Sequence, residues 1–143
     1  MQSKEIDNLI IARLFPDEDL QEKLQEICQK HKVKTAIILS GIGQLKNFKL
    51  GYFKNKGDYT PEFFSKPHEM ISLSGIISKQ GDNYEPHLHI SLGDENKRVI
   101  GGHLIEGIVE ITNEIVLLKS DILLRRKTEE TTGLRGLFLE DDK

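Results

Sequence analysis

Three of the five histidines in this 143-residue chain stand together in 85-EPHLHISLGDENKRVIGGHL-104. His87 and His89 are one residue apart, and His103 follows after a polar turn and two glycines. Side chains alternate between faces along a strand, so His87, His89 and Ser91 share one face while Leu88, Ile90 and Leu92 take the other. Neutral imidazoles suit zinc, iron, nickel and copper, zinc being the commonest, and three protein ligands leave the open position of a catalytic zinc site. A metal held there would act as a Lewis acid or bring the pKa of a bound water toward ~7. Ligation needs the neutral ring, so occupancy is expected to fall as the pH drops below ~6.5. Glu85 falls on the His87 face, where it is the candidate catalytic acid/base or the acceptor that orients a ligand imidazole, although Pro86 interrupts the strand between them.

Whether His103 joins the pair depends on the hairpin. A loop centred on Glu95 or Asn96 sets His103 opposite His87 or His89, on their face. A two-residue turn centred between those residues sends it to the leucine face, unless a bulge at Gly101-Gly102 turns it back. A His-x-His alone is more often the polar outer face of a strand; with His103 one hairpin away, spacing leaves the two readings evenly balanced.

The elements that must position these side chains are one helix and a run of strands. Residues 8-NLIIARLF-15 read as a strand closed by Pro16, and Asp17, Glu18 and Asp19 supply the negative charge a helix start favours. Apolar residues then recur at helical spacing at Leu20, Leu24, Ile27 and Cys28. His31 falls at the helix end. From there the period is two: 35–45, 47–53, 69–78, 85–92, 98–107 and 114–126 read as strands separated by short turns. The pattern predicts one α+β domain over 1–143 with a largely antiparallel sheet. The irregular stretch 54–68 carries Tyr59, Phe63 and Phe64, which either cover the core or meet another subunit, and ends at His68, to which no role is assigned. One helix cannot cover both faces of such a sheet. The aliphatic residues Ile71, Leu73, Ile115, Leu117, Ile122 and Leu124, with Leu137 and Phe138 near the acidic tail, are therefore expected between subunits.

Composition narrows the partners. No apolar run approaches the roughly 20 residues of a membrane span, and the first residues lack the features of a signal peptide. Cys28 is the single cysteine, which excludes an internal disulfide and makes a reducing cytoplasm the expected location. Twenty basic against 23 acidic residues give a net charge of −3, the wrong sign for gripping phosphates over a broad surface. The run Arg125-Arg126-Lys127 is followed at once by Glu129 and Glu130 and reads as a solvated strand end.

PHLHISL, followed by GGHL after a short turn, resembles the signature of the PPC domain, the plants-and-prokaryotes-conserved domain. SGIGQL (40–45) and EMISLSGIIS (69–78) are similar to its SGIG and E-I-L-S-L-S-G elements, and TNEIVLL (112–118) and TTGLRGL (131–137) to its closing strands. The resemblance implies an α+β fold with a strongly bent, mainly antiparallel sheet and one principal helix, assembled as a homotrimer. The fold implied is also like that of acetolactate decarboxylase, where a His-x-His and a later histidine bind zinc; His87, His89 and His103 match that pattern by type and order. Family members carry a DNA-binding label tied to plant AT-hooks. This chain has no Arg-Gly-Arg-Pro core and no basic arm, so direct DNA contact is expected to be weak. The expectation is a zinc-binding homotrimer with a small-molecule ligand at the metal and an unassigned activity. The alternative is a DNA-associated regulatory or oligomerisation module without catalysis.

Overall fold

The helix begins where the charge pattern places it. In a computed structural model of the chain, describing residues 1–139, α1 spans Leu20–Lys30 and Asp19 caps it, its carboxylate accepting from the Glu22 N–H at 2.9 Å. Such a cap satisfies one of the N–H groups that a helix start leaves bare. Leu20, Leu24, Ile27 and Cys28 form the buried stripe. Burial pushes the Cys28 thiol up to about 12, so it acts as a small apolar side chain. His31 ends the helix and holds Ser3 Oγ and Glu5 Oε2, each at 2.9 Å, in a local polar network.

The strands are β1 (Gln2–Ile6), β2 (Leu9–Leu14), β3 (Thr35–Gly51), β4 (Glu62–Phe64), β5 (His68–Gln80), β6 (Asn83–Gly93), β7 (Val99–Ser120), β8 (Leu124–Thr128) and β9 (Arg135–Leu139). Seven of them form one antiparallel sheet in the order β1-β2-β7-β6-β5-β3-β4, and β7 also pairs with β3. That extra pairing closes β3, β5, β6 and β7 into a ring, which is why the sheet bends. β8 and β9 form a separate hairpin. The fold is the α+β class with an antiparallel sheet and one helix that the residue pattern predicts, and the sheet is bent as the family resemblance implies.

Several boundaries differ from those read off the sequence. β1 was not expected: its polar sequence QSKEI alternates exposed and half-buried positions at the sheet edge. Segments 35–45 and 47–53 are largely one strand, and β7 runs unbroken through 108–113. Of the side chains expected between subunits, Leu73, Ile115, Leu117 and Leu124 lie in the chain's own interior, while Ile71, Ile122, Leu137 and Phe138 are exposed. The closed ring accounts for this, because it gives the strands an inside that a flat sheet lacks. The three aromatics of 54–68 separate: Phe64 stacks on Phe48 at 5.1 Å, Phe63 is exposed, and Tyr59 faces the histidines. His68 packs edge-on to Phe48 at 5.0 Å. The acidic end, 140–143, lies outside the described residues.

Candidate metal centre

Asp94 fixes the hairpin register. Its carboxylate accepts from the N–H groups of Asn96 at 2.8 Å and Arg98 at 2.9 Å, and its own N–H donates to Arg98 O at 2.9 Å. Those N–H bonds, Arg98's first, hold the Asp94 carboxyl below its usual pKa despite some desolvation. Gly93 pairs with Val99, so the loop is centred on Asn96 and His103 lies directly opposite His89. Of the arrangements open to the sequence, this one brings all three histidines to one face without a bulge at Gly101-Gly102. The two glycines serve close approach instead: a Cβ at Gly101 would lie 2.7 Å from Ile90 O, and one at Gly102 2.8 Å from Gly51 O.

The ring centroids are 5.2 Å apart for His87–His89, 5.3 Å for His87–His103 and 5.7 Å for His89–His103. One ligand nitrogen from each lies within 4.8 Å of the others, the one such cluster among the described residues. Nitrogens in a tetrahedral shell at ~2.1 Å from an ion lie about 3.4 Å apart, so the three rings need draw together by only about an ångström to share one ion. His103 Nδ1 is buried and has no hydrogen-bond partner. A buried ring nitrogen left bare is costly, and a metal would satisfy it. Burial, reinforced by the His87 and His89 rings, pushes the His103 pKa down to about 4. Burial is also the main cause lowering His87, with Arg126 and His89 adding and Glu85 opposing. His87 touches solvent through the cavity mouth, yet the cavity walls still desolvate it. The His87 and His103 rings are thus held in their neutral, ligating form, and the three imidazoles fit a borderline transition metal such as zinc.

The histidines open into a cavity of about 840 Å³. Ser74 and Ile76, paired with His89 and His87 across β5, form one wall. Tyr59 lies over His103 at 5.3 Å between ring centroids. Glu85 lines the same cavity, and both of its oxygens are held by Arg135, Nε to Oε1 at 3.2 Å and Nη2 to Oε2 at 3.0 Å. The β8–β9 hairpin supplies the remaining wall, including Arg126. Here the sequence reading needs correction, because Arg126 is buried rather than part of a solvated strand end. The alternation that carries Leu124 inward carries Arg126 with it, and that signal was present in ILLRR. Tyr59 and Arg135 had no comparable signal, since both reach the site by tertiary folding alone.

A family model for the Plants and Prokaryotes Conserved (PCC) domain matches residues 1–121. The chain belongs to this family. A plant- and prokaryote-conserved (PPC) protein of Pyrococcus horikoshii is 33% identical with a TM-score of 0.82, over 99% of this chain and 95% of that one. A metal-containing protein of Archaeoglobus fulgidus is 29% identical with a TM-score of 0.82, over 94% and 95% of the two chains. A Bacteroides thetaiotaomicron protein provisionally named DNA-binding has a TM-score of 0.90 at 25% identity, over 98% of both. The bifunctional protein GlmU of a Synechococcus strain is 30% identical over 130 residues, 90% of this chain and 20% of that protein. The chain thus spans about a fifth of the length of the curated relatives it matches. Among the described residues, no helix is long and apolar enough to cross a membrane.

Proposed function

We propose that this PCC-domain chain binds one transition-metal ion, zinc by the chemistry of its donors, through His87, His89 and His103, and that the cavity above it receives a small molecule. The observation that carries this reading is the convergence of three imidazoles, one of which, His103, keeps a buried Nδ1 without a hydrogen-bond partner. A bound divalent metal would supply Lewis-acid polarisation of a ligand oxygen. Glu85 is the proposed acid/base, and Arg135 orients its carboxylate within the cavity. The metal-containing Archaeoglobus protein supports the metal, while the reaction stays unassigned. Elemental analysis of purified chain tests the reading: close to one ion per chain is expected, and none after reconstitution would refute it.

The depressed ring pKa values set the pH at which such a metal is lost. Protons displace the metal only where the free rings take them up, below their pKa, so lowering the pKa moves release to lower pH. His103, near 4, and His87, also lowered, stay neutral below the ~6.5 of unperturbed imidazole, so these two donors are expected to keep part of the metal bound below that pH and to release it as the pH approaches about 4. Dialysis at stepped pH followed by metal analysis checks this. Complete loss at pH 6.5 would contradict the burial of the site.

We also propose one domain over 1–143 assembled as a homotrimer. The C-terminal hairpin closes the cavity and is bonded to β5 through Gln80, which supports a single unit. Ile11, Leu39, Ile42 and Ile71 are each more than half exposed, on β2 and β3, which flank β7, and on β5, which pairs with β3. Such a concentration favours burial in a closed assembly, with more than ~1,000 Å² in the interface. Three chains of 16.3 kDa give about 49 kDa, which mass measurement at micromolar concentration should return. A stable 16.3 kDa species would refute the assembly.

The DNA-binding names of some solved relatives favour a second reading, a DNA-associated module without catalysis. The net charge of −3 per chain weighs against direct contact. Affinity for duplex DNA at ~150 mM salt is expected to be weak and without sequence preference. Nanomolar, sequence-specific binding in an electrophoretic shift assay would favour the second reading.

A further inference from the structure

The charge in the cavity is not explained by the histidines and Glu85. Arg126 enters the wall from the inward side of β8 and is 7% exposed. Its backbone is clamped to the end of β5: the Arg126 N–H donates to Gln80 Oε1 at 3.1 Å, and Gln80 Nε2 donates to Leu124 O at 3.0 Å. Its Nη1 donates to Arg135 O at 3.3 Å, but its buried Nε has no partner. Arg126 forms no ion pair among the described residues, and Arg135 already occupies both oxygens of Glu85. A buried guanidinium with a bare N–H is expensive to keep, and it is where an oxyanion would complete the hydrogen bonding.

We infer that Arg126 anchors an anionic ligand in this cavity, a small organic acid with one carboxylate on the guanidinium and a second oxygen directed at the three-histidine centre. The second contact rests on the metal reading above; the first does not. Ile76, Pro86, Leu134 and Leu137 give the cavity apolar walls, which suit an organic acid better than an inorganic anion. Nη1 donates to Arg135 O, which leaves the Nε and Nη2 edge of the guanidinium, whose parallel donors suit a carboxylate, for the ligand to engage. Arg126 and the hairpin lie beyond residue 121, where the family match ends.

Titration calorimetry of the full chain, reconstituted with zinc and assayed for metal content, tests this with malonate, neutral malonamide and inorganic phosphate. Malonate is expected to bind, malonamide about a hundredfold more weakly or not at all, and phosphate more weakly than malonate. Arg126→Met should weaken malonate by about tenfold to a hundredfold with zinc content unchanged, and Arg126→Lys should fall between. Equal affinity for malonate and malonamide, no malonate binding, or an Arg126→Met chain with undiminished affinity would each overturn the anchor. Tighter binding of phosphate would overturn the organic-acid assignment. A chain that takes up no zinc removes the metal reading, and malonate titration of the metal-free chain with and without Arg126→Met still decides the anchor. Should Arg126→Met fail to fold, malonate against malonamide on the unaltered chain decides it.

Discussion

Replacing His103 by alanine is expected to reduce retained metal from about one ion per chain to nearly none, an affinity loss of more than ~100-fold. His103 carries the most strongly depressed imidazole pKa of the cluster and the bare buried Nδ1, and it lies opposite His89 on the neighbouring strand. Without it, His87 and His89 remain as two donors on a single strand, with no third imidazole to close the shell. The fold should survive, because His103 is only half-buried and its neighbour Tyr59 lies in an open cavity. Thermal unfolding of the metal-free variant should therefore resemble that of metal-free unaltered chain, while added zinc raises the midpoint of the unaltered chain alone. His68→Ala is the control: His68 packs on Phe48 away from the cavity, so its loss should leave metal content unchanged. Full metal retention by His103→Ala would remove His103 from the site.

The second large effect concerns the backbone that delivers His87. Gly75 of β5 has φ +142°, a conformation L side chains rarely adopt, and a Cβ there would lie 2.0 Å from His87 O. β5 and β6 reach hydrogen-bonding distance beside the histidines because nothing projects from Gly75. Gly75→Ala combines backbone strain with a backbone clash that no rotamer relieves, and should cost about 4 kcal/mol. Separation of β5 from β6 would also displace His87, so the surviving folded fraction should bind metal poorly. Urea unfolding with metal analysis reads both effects, and a stability change under ~1 kcal/mol would show that the strands tolerate the added methyl.

Much of this arrangement was legible in the chain. Apolar residues at helical spacing located α1 within 17–32, although the helix proper starts only at Leu20 behind the Asp19 cap, and strict alternation in PHLHISL set the faces of β6. The convergence of His103 was open in the sequence, because it turned on the centre of a five-residue loop that the Asp94 carboxylate decides through its own hydrogen bonds. Segments 98–107 and 114–126 read as two strands in the sequence. β7 instead runs straight through, with Gly107 admitting Leu45 and Phe48 from the crossing strand β3. β1 was missed because an edge strand that buries little carries no hydrophobic pattern. Arg126 was misread for another reason: charge in a run of basic residues outweighed the alternation that turned one of them inward. What local pattern did not carry was the closure of β3 on β7, a long-range pairing that separates the interior leucines from the exposed ones.

The central claim is that His87, His89 and His103 together hold one transition-metal ion. Anomalous diffraction from crystals of the zinc-reconstituted chain, recorded on both sides of the zinc absorption edge, tests it most directly. A single strong peak per chain is expected at the three rings, about 2.1 Å from one ring nitrogen of each histidine. No peak at the three rings, or a peak held by other side chains with His103 Nδ1 bonded elsewhere, would contradict it.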